Sequence, residues 1–414
     1  MRIRLPLIIA AGLLAAGIAV PAHAQKGPMT LAEAVSTAQQ RAPAQQAADA
    51  ALRAADANAA TAAQRPNPSL SFEAENVMGT GPYAGFGGGE RTLSLAVPIE
   101  LGGKRNARRR VAQAERAAAS LGVATTRADV TQRATEAFIA TVTAERRLEV
   151  ANSGYELAGK GAHAASERVR AGKASPIEEQ RAEVVRINAA VRLGKAERAL
   201  ALAQADLARV TGSTLPVSIA AGWFESVNAQ QVQVELGALP SVARAEAEVA
   251  AASARVDAAR RDRIPDATLT LGTRRYGASP DRAAVVGISV PLPLFNTGTA
   301  GLIKTRADYD RAIAERNVVE LETSQTVAHA QAELADAAAL AQAANGPVLA
   351  AAEEAARIAR IGYAEGKFPQ LELLEAERSL AQTREDALDA LAAFHIAQAR
   401  LAHLRGSTNP IYKD

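Results

Sequence analysis

Cysteine is absent from the 414 residues. That excludes disulfides, thiolate metal sites and an N-terminal lipid carried on cysteine, so packing and assembly must hold an exported chain together. Aromatic residues make up only 3%, too few for a compact enzyme core of large side chains. The alanine-rich, charge-interspersed remainder suits long helices packed closely side by side. The 5 histidines include no His-x-x-x-His pair, and His395 and His403 lie two helical turns apart, too far to share a metal on one helix. Long apolar runs are scarce as well. The one from Leu5 to Val20 is shorter than the roughly 20 residues needed to cross a bilayer; between Arg2 and Arg4 and the small-residue site Ala22-His23-Ala24 it reads as a secretory signal over residues 1–24, cut before Gln25. With that signal goes most of the net charge of +3, which argues against nucleic acid as a partner. Gly102-Gly103-Lys104 lacks the spacing and the Ser or Thr of a phosphate loop. No catalytic constellation and no cofactor or metal site emerges, and the chain reads as something other than an enzyme.

What is present comes twice. Residues 66–105 and 265–298 share one order of parts: proline, an alternating run, a glycine-rich loop, and a second alternating run ending Val-Pro (Val97-Pro98, Val290-Pro291) before a glycine turn. Sliding the chain by 194 also sets Ala171-Gly172-Lys173 on Glu365-Gly366-Lys367, Ala182-Glu183 on Ala376-Glu377 and Gly212 on Gly406. A period that long means two duplicated domains rather than a solenoid of small units.

Within the first copy, residues 25–212, Thr30 caps a helix expected to run to about Gln64, with Glu33 as capping-box partner. Arg65-Pro66-Asn67-Pro68 ends it. Leu70, Phe72 and Ala74 then alternate with polar neighbours, as do Leu93, Leu95 and Val97, and period two predicts strands over about 69–77 and 91–97. Proline-free sequence over 104–170 predicts one helix about 100 Å long, and a return helix follows over 176–211 with Leu193, Leu200 and Leu207 as a sevenfold coiled-coil seam. Residues 213–238 form an irregular equatorial segment. The second copy, 239–406, repeats the plan with strands over about 267–276 and 284–291, a long helix over 299–364 bent near Asn345-Gly346-Pro347, and a return helix over 369–405. A loosely ordered tail is expected over 407–414.

Four amphipathic strands cannot close on themselves, and open sheet edges are not tolerated in lipid. Membrane insertion would therefore require oligomerisation: three chains give twelve strands and a usable lumen, since barrel width grows with strand number. Leu93 and Ile288 are expected to face lipid and Ser94 the lumen. Tyr83, Phe86, Phe72, Tyr276 and Phe295 fit either an aromatic interface belt or loop packing. The Arg105, Arg108, Arg109 and Arg110 cluster fits either a solvated helix face or contact with lipid headgroups.

The duplicated helix-hairpin-helix order resembles a TolC-type outer-membrane efflux protein over essentially the whole mature chain. Pro66-Asn67-Pro68, Glu75-Asn76, Gly81-Pro82-Tyr83 and Pro98-Ile99-Glu100-Leu101-Gly102-Gly103-Lys104-Arg105 are similar to its cobalt-zinc-cadmium resistance branch. The resemblance implies a mainly α chain with a membrane β part, assembled as a homotrimer: a twelve-stranded β-barrel in the outer-membrane lipid, standing on an α-helical barrel in the periplasm. It implies an export duct working with a periplasmic adaptor and an inner-membrane RND-type pump, carrying divalent metal cations or, alternatively, organic solutes. A periplasmic coiled-coil scaffold without a pore is the reading from another class. On the family pattern, Gly172, Lys173, Gly366 and Lys367 fall on the adaptor-contact turns, Glu372 and Glu375 on the carboxylates ringing the periplasmic aperture, and Glu178 and Tyr363 on the closed-state latch. Phe368 stands where the best-studied ducts have an arginine, so the carboxylates would have to lean on Lys173 or Lys367.

Overall fold

Thr30 opens the first helix through a reciprocal cap: its Oγ1 accepts from the Glu33 amide at 3.2 Å and the Glu33 carboxylate accepts from the Thr30 amide at 3.1 Å. The computed structural model describes residues 28–213, 219–228 and 234–412; the expected signal lies outside them. Helix α1 (Leu31–Arg41) stops after 11 residues of the run expected to reach Gln64, and α2 (Pro43–Ala62) starts afresh. The cause is Pro43, which lacks an amide hydrogen and pushes Ala42 to φ −60, ψ 124, an extended conformation.

The first hairpin is β1 (Ser69–Glu75) and β2 (Glu90–Ile99). Strand β1 ends two residues short of the expected bound because Asn76 and Met78 adopt positive φ. A long helix α3 (Lys104–Arg170, 67 residues) and a return helix α4 (Pro176–Thr211) follow. The second copy runs α5 (Pro240–Asp262), β3 (Ala267–Arg275), β4 (Arg282–Ser289), α6 (Thr299–Ala343), α7 (Leu349–Ala364) and α8 (Gln370–Leu404). Val290-Pro291 falls beyond β4, whereas Pro98 stays inside β2 opposite Thr268. Between α6 and α7 the chain widens into a π-turn over Ala344–Val348, where Gly346 leaves helical geometry and Pro347 has no amide hydrogen to give.

The four strands form one antiparallel sheet in the order β1-β2-β3-β4, so the outer strands β1 and β4 each carry an unpaired edge. Alanine lets the helices approach closely: Ala107, Ala112, Ala128, Ala134, Ala251 and Ala252 are all buried. The main core of larger side chains lies at the equator, where Leu31, Val35, Phe138, Ile139, Leu207, Phe224, Leu391 and Phe394 from both copies pack together.

The described part of the tail, residues 407–412, packs against that core instead of lying loose. Tyr412 stacks on Trp223 with centroids 4.0 Å apart, and the Thr408 carbonyl accepts from Gln39 Nε2 at 2.7 Å. Buried His395 donates from Nε2 to the Phe224 carbonyl at 2.8 Å, and its Nδ1 lies against the Tyr412 hydroxyl, which donates to Gln398 Oε1. Burial holds the imidazole pKa down at about 4, because aromatic neighbours offer an imidazolium no compensating charge. The unfolded chain then binds the extra proton between pH 6.5 and 4. The stabilisation, about 3 kcal/mol, is complete above pH 6.5 and is lost as pH falls through that window. Trp223 is the sole tryptophan, so its fluorescence should report undocking of the tail as pH drops from 6.5 to 4. His395→Gln should flatten that titration; an unaltered titration in this variant would rule His395 out as its source.

Candidate conduit: the sheet faces and the helical tips

Strand register divides the sheet into two chemically distinct faces. Leu70, Leu95, Leu271 and Val286 form one cross-strand row, and Val97, Leu269 and Ile288 the row below it. All these side chains point to the same face because side chains alternate along a strand. They are largely uncovered: Leu70 is 72%, Val286 71% and Ile288 74% exposed, an extent of open apolar surface that water would not tolerate on a monomer. The opposite face is polar. Ser71 and Ser94 share a hydrogen bond at 2.7 Å, and Arg274 binds Thr92 at 2.9 Å and both Glu75 and Glu90 at 2.9 Å. Leu93 and Ser94 thus lie on opposite faces. Tyr83, Phe86, Phe72, Tyr276 and Phe295 are all exposed.

At the foot of the sheet the arginine cluster divides. Arg105 donates to the Ala63 carbonyl at 2.6 Å and Arg108 clasps Glu100 and the Gln64 carbonyl, which ties the end of α2 to the start of α3. Lys104 pairs with Asp266 at 3.0 Å, joining the two copies. Arg109 and Arg110 remain on the exposed face.

At the far end of the helices the two turns are built alike. Lys173 N donates to the Arg168 carbonyl at 2.9 Å and Gly172 N to Val169 at 2.9 Å; Lys367 N donates to Gly362 at 2.8 Å and Gly366 N to Tyr363 at 3.0 Å. These paired bonds satisfy the last carbonyls of α3 and α7 and require a left-handed residue at the turn. Gly172 supplies it with φ 68 and Gly366 with φ 76.

The expected gate residues lie beside these turns. Tyr363 sits under the Arg168 guanidinium, 4.8 Å from its ring centroid. The Glu178 carbonyl accepts from Gln370 Nε2 at 3.1 Å, so the α3–α4 and α7–α8 hairpins are stitched together at two points. Glu178 Oε2 is buried without a hydrogen-bond partner among the described residues. Glu372 and Glu375 are exposed on α8 and make no ion pair among the described residues. Within one chain neither Lys173 nor Lys367 pairs with them among the described residues, and Lys367 pairs with Glu365 at 2.5 Å. Phe368, in place of the arginine, folds from the turn back onto the end of α7, where a Cβ on Gly362 would stand 2.2 Å from the ring. Arg168 and Gln370 were not legible as tip residues, since each contact joins positions far apart in the chain.

Among the described residues no helix is long and apolar enough to cross a membrane, and no three His, Asp or Glu gather to hold a metal ion. Residues 34–213 and 232–407 match the outer membrane efflux protein family. The chain belongs to that family. It is 32% identical over 324 residues to the cobalt-zinc-cadmium resistance protein CzcC of Cupriavidus metallidurans, covering 77% of this chain and 76% of the relative. It is likewise 32% identical over 288 residues to the nickel and cobalt resistance protein CnrC of the same organism, covering 68% of each. The outer-membrane channel OprN shares its fold, with a TM-score of 0.75 at 21% identity over 92% of this chain and 91% of that one. So does VceC of Vibrio cholerae, with 0.74 at 21% identity over 91% and 96%. This efflux protein is an outer-membrane channel extending into the periplasm, a transport duct and not an enzyme. Channels of this type form trimers and work with adaptor and inner-membrane pump partners.

Proposed function

We infer that this efflux protein is the outer-membrane duct of a tripartite system exporting divalent metal cations. The observation that carries the substrate is its identity of about a third, over two thirds or more of both chains, with relatives named for resistance to cobalt, zinc, cadmium and nickel. Three copies of the four-stranded sheet would pair the β4 edge of one protomer with the β1 edge of the next, leaving no open edge in lipid. Apolar flanks support that assembly: Ile177, Val184 and Val191 are exposed at sevenfold spacing on α4, and Leu340 of α6, Val348 of the π-turn and Ile358 of α7 are exposed as well. Such stripes fit coiled-coil seams between protomers.

In this assembly the turns at Gly172-Lys173 and Gly366-Lys367 meet the periplasmic adaptor, which links the duct to an RND-type pump. Glu372 and Glu375 line the aperture, and Glu178 and Tyr363 latch its closed state. Six unpaired carboxylates around a narrow opening concentrate cations and repel anions by focusing the field.

Deleting the gene should lower tolerance to zinc, cobalt and cadmium while leaving drug tolerance unchanged; the reverse pattern would overturn the metal reading. In planar bilayers the protein should show small, cation-selective conductance, blocked by a trivalent cation from the periplasmic side. Glu372→Gln with Glu375→Gln should weaken that block by about tenfold or more with the trimer intact. Unchanged block and selectivity would remove these residues from the aperture.

A further inference from the structure

One cross-strand row on the apolar face is not apolar. Arg91 of β2 pairs in register with Arg275 of β3, and Arg275 with Arg282 of β4. Counting by twos along each strand sets these arginines on the face of Leu93, Leu95, Leu271, Val286 and Ile288. The strand carboxylates Glu73, Glu75 and Glu90 all fall on the other face, where Glu75 and Glu90 pair with Arg274. Arg91, Arg275 and Arg282 are exposed and have no ion pair or side-chain hydrogen bond among the described residues. Adjacent strands lie about 4.8 Å apart, and like charges directly opposite one another destabilise a sheet. Three uncompensated guanidinium groups in one row therefore point to an anionic partner outside the chain.

The height of the row identifies that partner. The arginines sit next to the hairpin loops 76–89 and 276–281, at the rim of the sheet away from the helices. From Arg91 down to Ile99 is about 26 Å along the strand, or about 20 Å once the usual barrel tilt is allowed for. The apolar rows below the arginines thus fill most of a hydrocarbon band about 25 Å tall, and the arginines emerge at its outer surface. Guanidinium groups there form bidentate hydrogen bonds with phosphate oxygens. We propose that Arg91, Arg275 and Arg282 form a phosphate-binding belt that grips the phosphorylated headgroups of outer-leaflet lipid around the barrel. The inference rests on the trimeric barrel reading, which turns the apolar face toward lipid and repeats the belt three times.

Native mass spectrometry of the purified full-length trimer, incubated with bisphosphorylated lipid A or with its dephosphorylated form, tests the belt. The wild-type trimer should retain the phosphorylated lipid preferentially. Each Arg→Gln substitution should reduce that preference about fivefold, and Arg91→Gln, Arg275→Gln and Arg282→Gln together roughly a hundredfold. The triple Arg→Lys variant, which keeps the charge, should retain most of it. The single variants decide the matter if the triple Gln variant fails to assemble. Equal retention of the two lipids by wild type, unchanged preference in the Gln variants, or displacement of the lipid by millimolar inorganic phosphate would overturn the proposal while leaving the barrel in place. Absence of a membrane-inserted trimer in wild type would instead remove the barrel reading, and the belt with it.

Discussion

Leu95→Arg should cost about 2 to 4 kcal/mol in each protomer, and outer-membrane trimer should fall below detection. Leu95 occupies the middle apolar row, with Leu70 beside it on β1 and Leu271 on β3. A cation there lies near the bilayer midplane, where transmembrane barrels tolerate it least. The cost recurs in every copy of the assembly. One residue away, Ser94 belongs to the polar face with Ser71, and Ser94→Asn should leave trimer yield within about twofold, since lumen substitutions exchange one hydrated polar group for another. Arg91→Gln, at the upper rim, should likewise leave yield intact, because the midplane penalty does not reach it. Heat-modifiable mobility of the trimer in isolated outer membranes reads all three. Equal losses from Leu95→Arg and Ser94→Asn would mean that the apolar face does not meet lipid.

Bulky residues at both turns should abolish metal resistance without unfolding the duct. Gly172 and Gly366 adopt left-handed backbone, which costs an ordinary residue about 1 to 2 kcal/mol, modest against the packing of four helices. A Cβ at either position meets nothing within 4 Å, so an added side chain collides with no part of its own protomer. Gly172→Ala with Gly366→Ala therefore carries the backbone strain alone and should retain most resistance. Gly172→Trp with Gly366→Trp adds bulk that only a docked partner would feel, and should reduce resistance to the level of the gene deletion while the trimer stays in the outer membrane. Growth on graded zinc or cobalt separates the pairs. Normal resistance in the tryptophan pair would dissociate these turns from the adaptor.

The resemblance suggested a gate in which carboxylates lean on lysine; within one chain the contacts at the tips are others. Lys367 is held by its neighbour Glu365, and Phe368 is drawn onto Gly362, whose missing side chain makes room for the ring. The stitch between hairpins is made instead by Arg168 over Tyr363 and by Gln370 on the Glu178 carbonyl. Neither of those two contacts is an ion pair.

The sequence by itself determined the elements whose cause is local. Alternation every second residue made β1 to β4, an uninterrupted proline-free run made α3, and glycine before lysine made both turns, because dihedral preference and side-chain period act between near neighbours in the chain. Pro43 shows the limit of such reading: its effect is also local, yet alanine on both sides masked the break between α1 and α2. Tertiary structure alone decided what depends on distant partners. It decided that Tyr412 stacks on Trp223 and that His395 is buried against both. It also decided that Arg91, Arg275 and Arg282 fall in one row. Register between β2 and β3, which pair from Ile99↔Ala267 to Arg91↔Arg275, is fixed by burial and hydrogen bonding between strands far apart in the chain, and a shift of one residue would send every side chain of a strand to the other face. No periodicity within either strand carries that information.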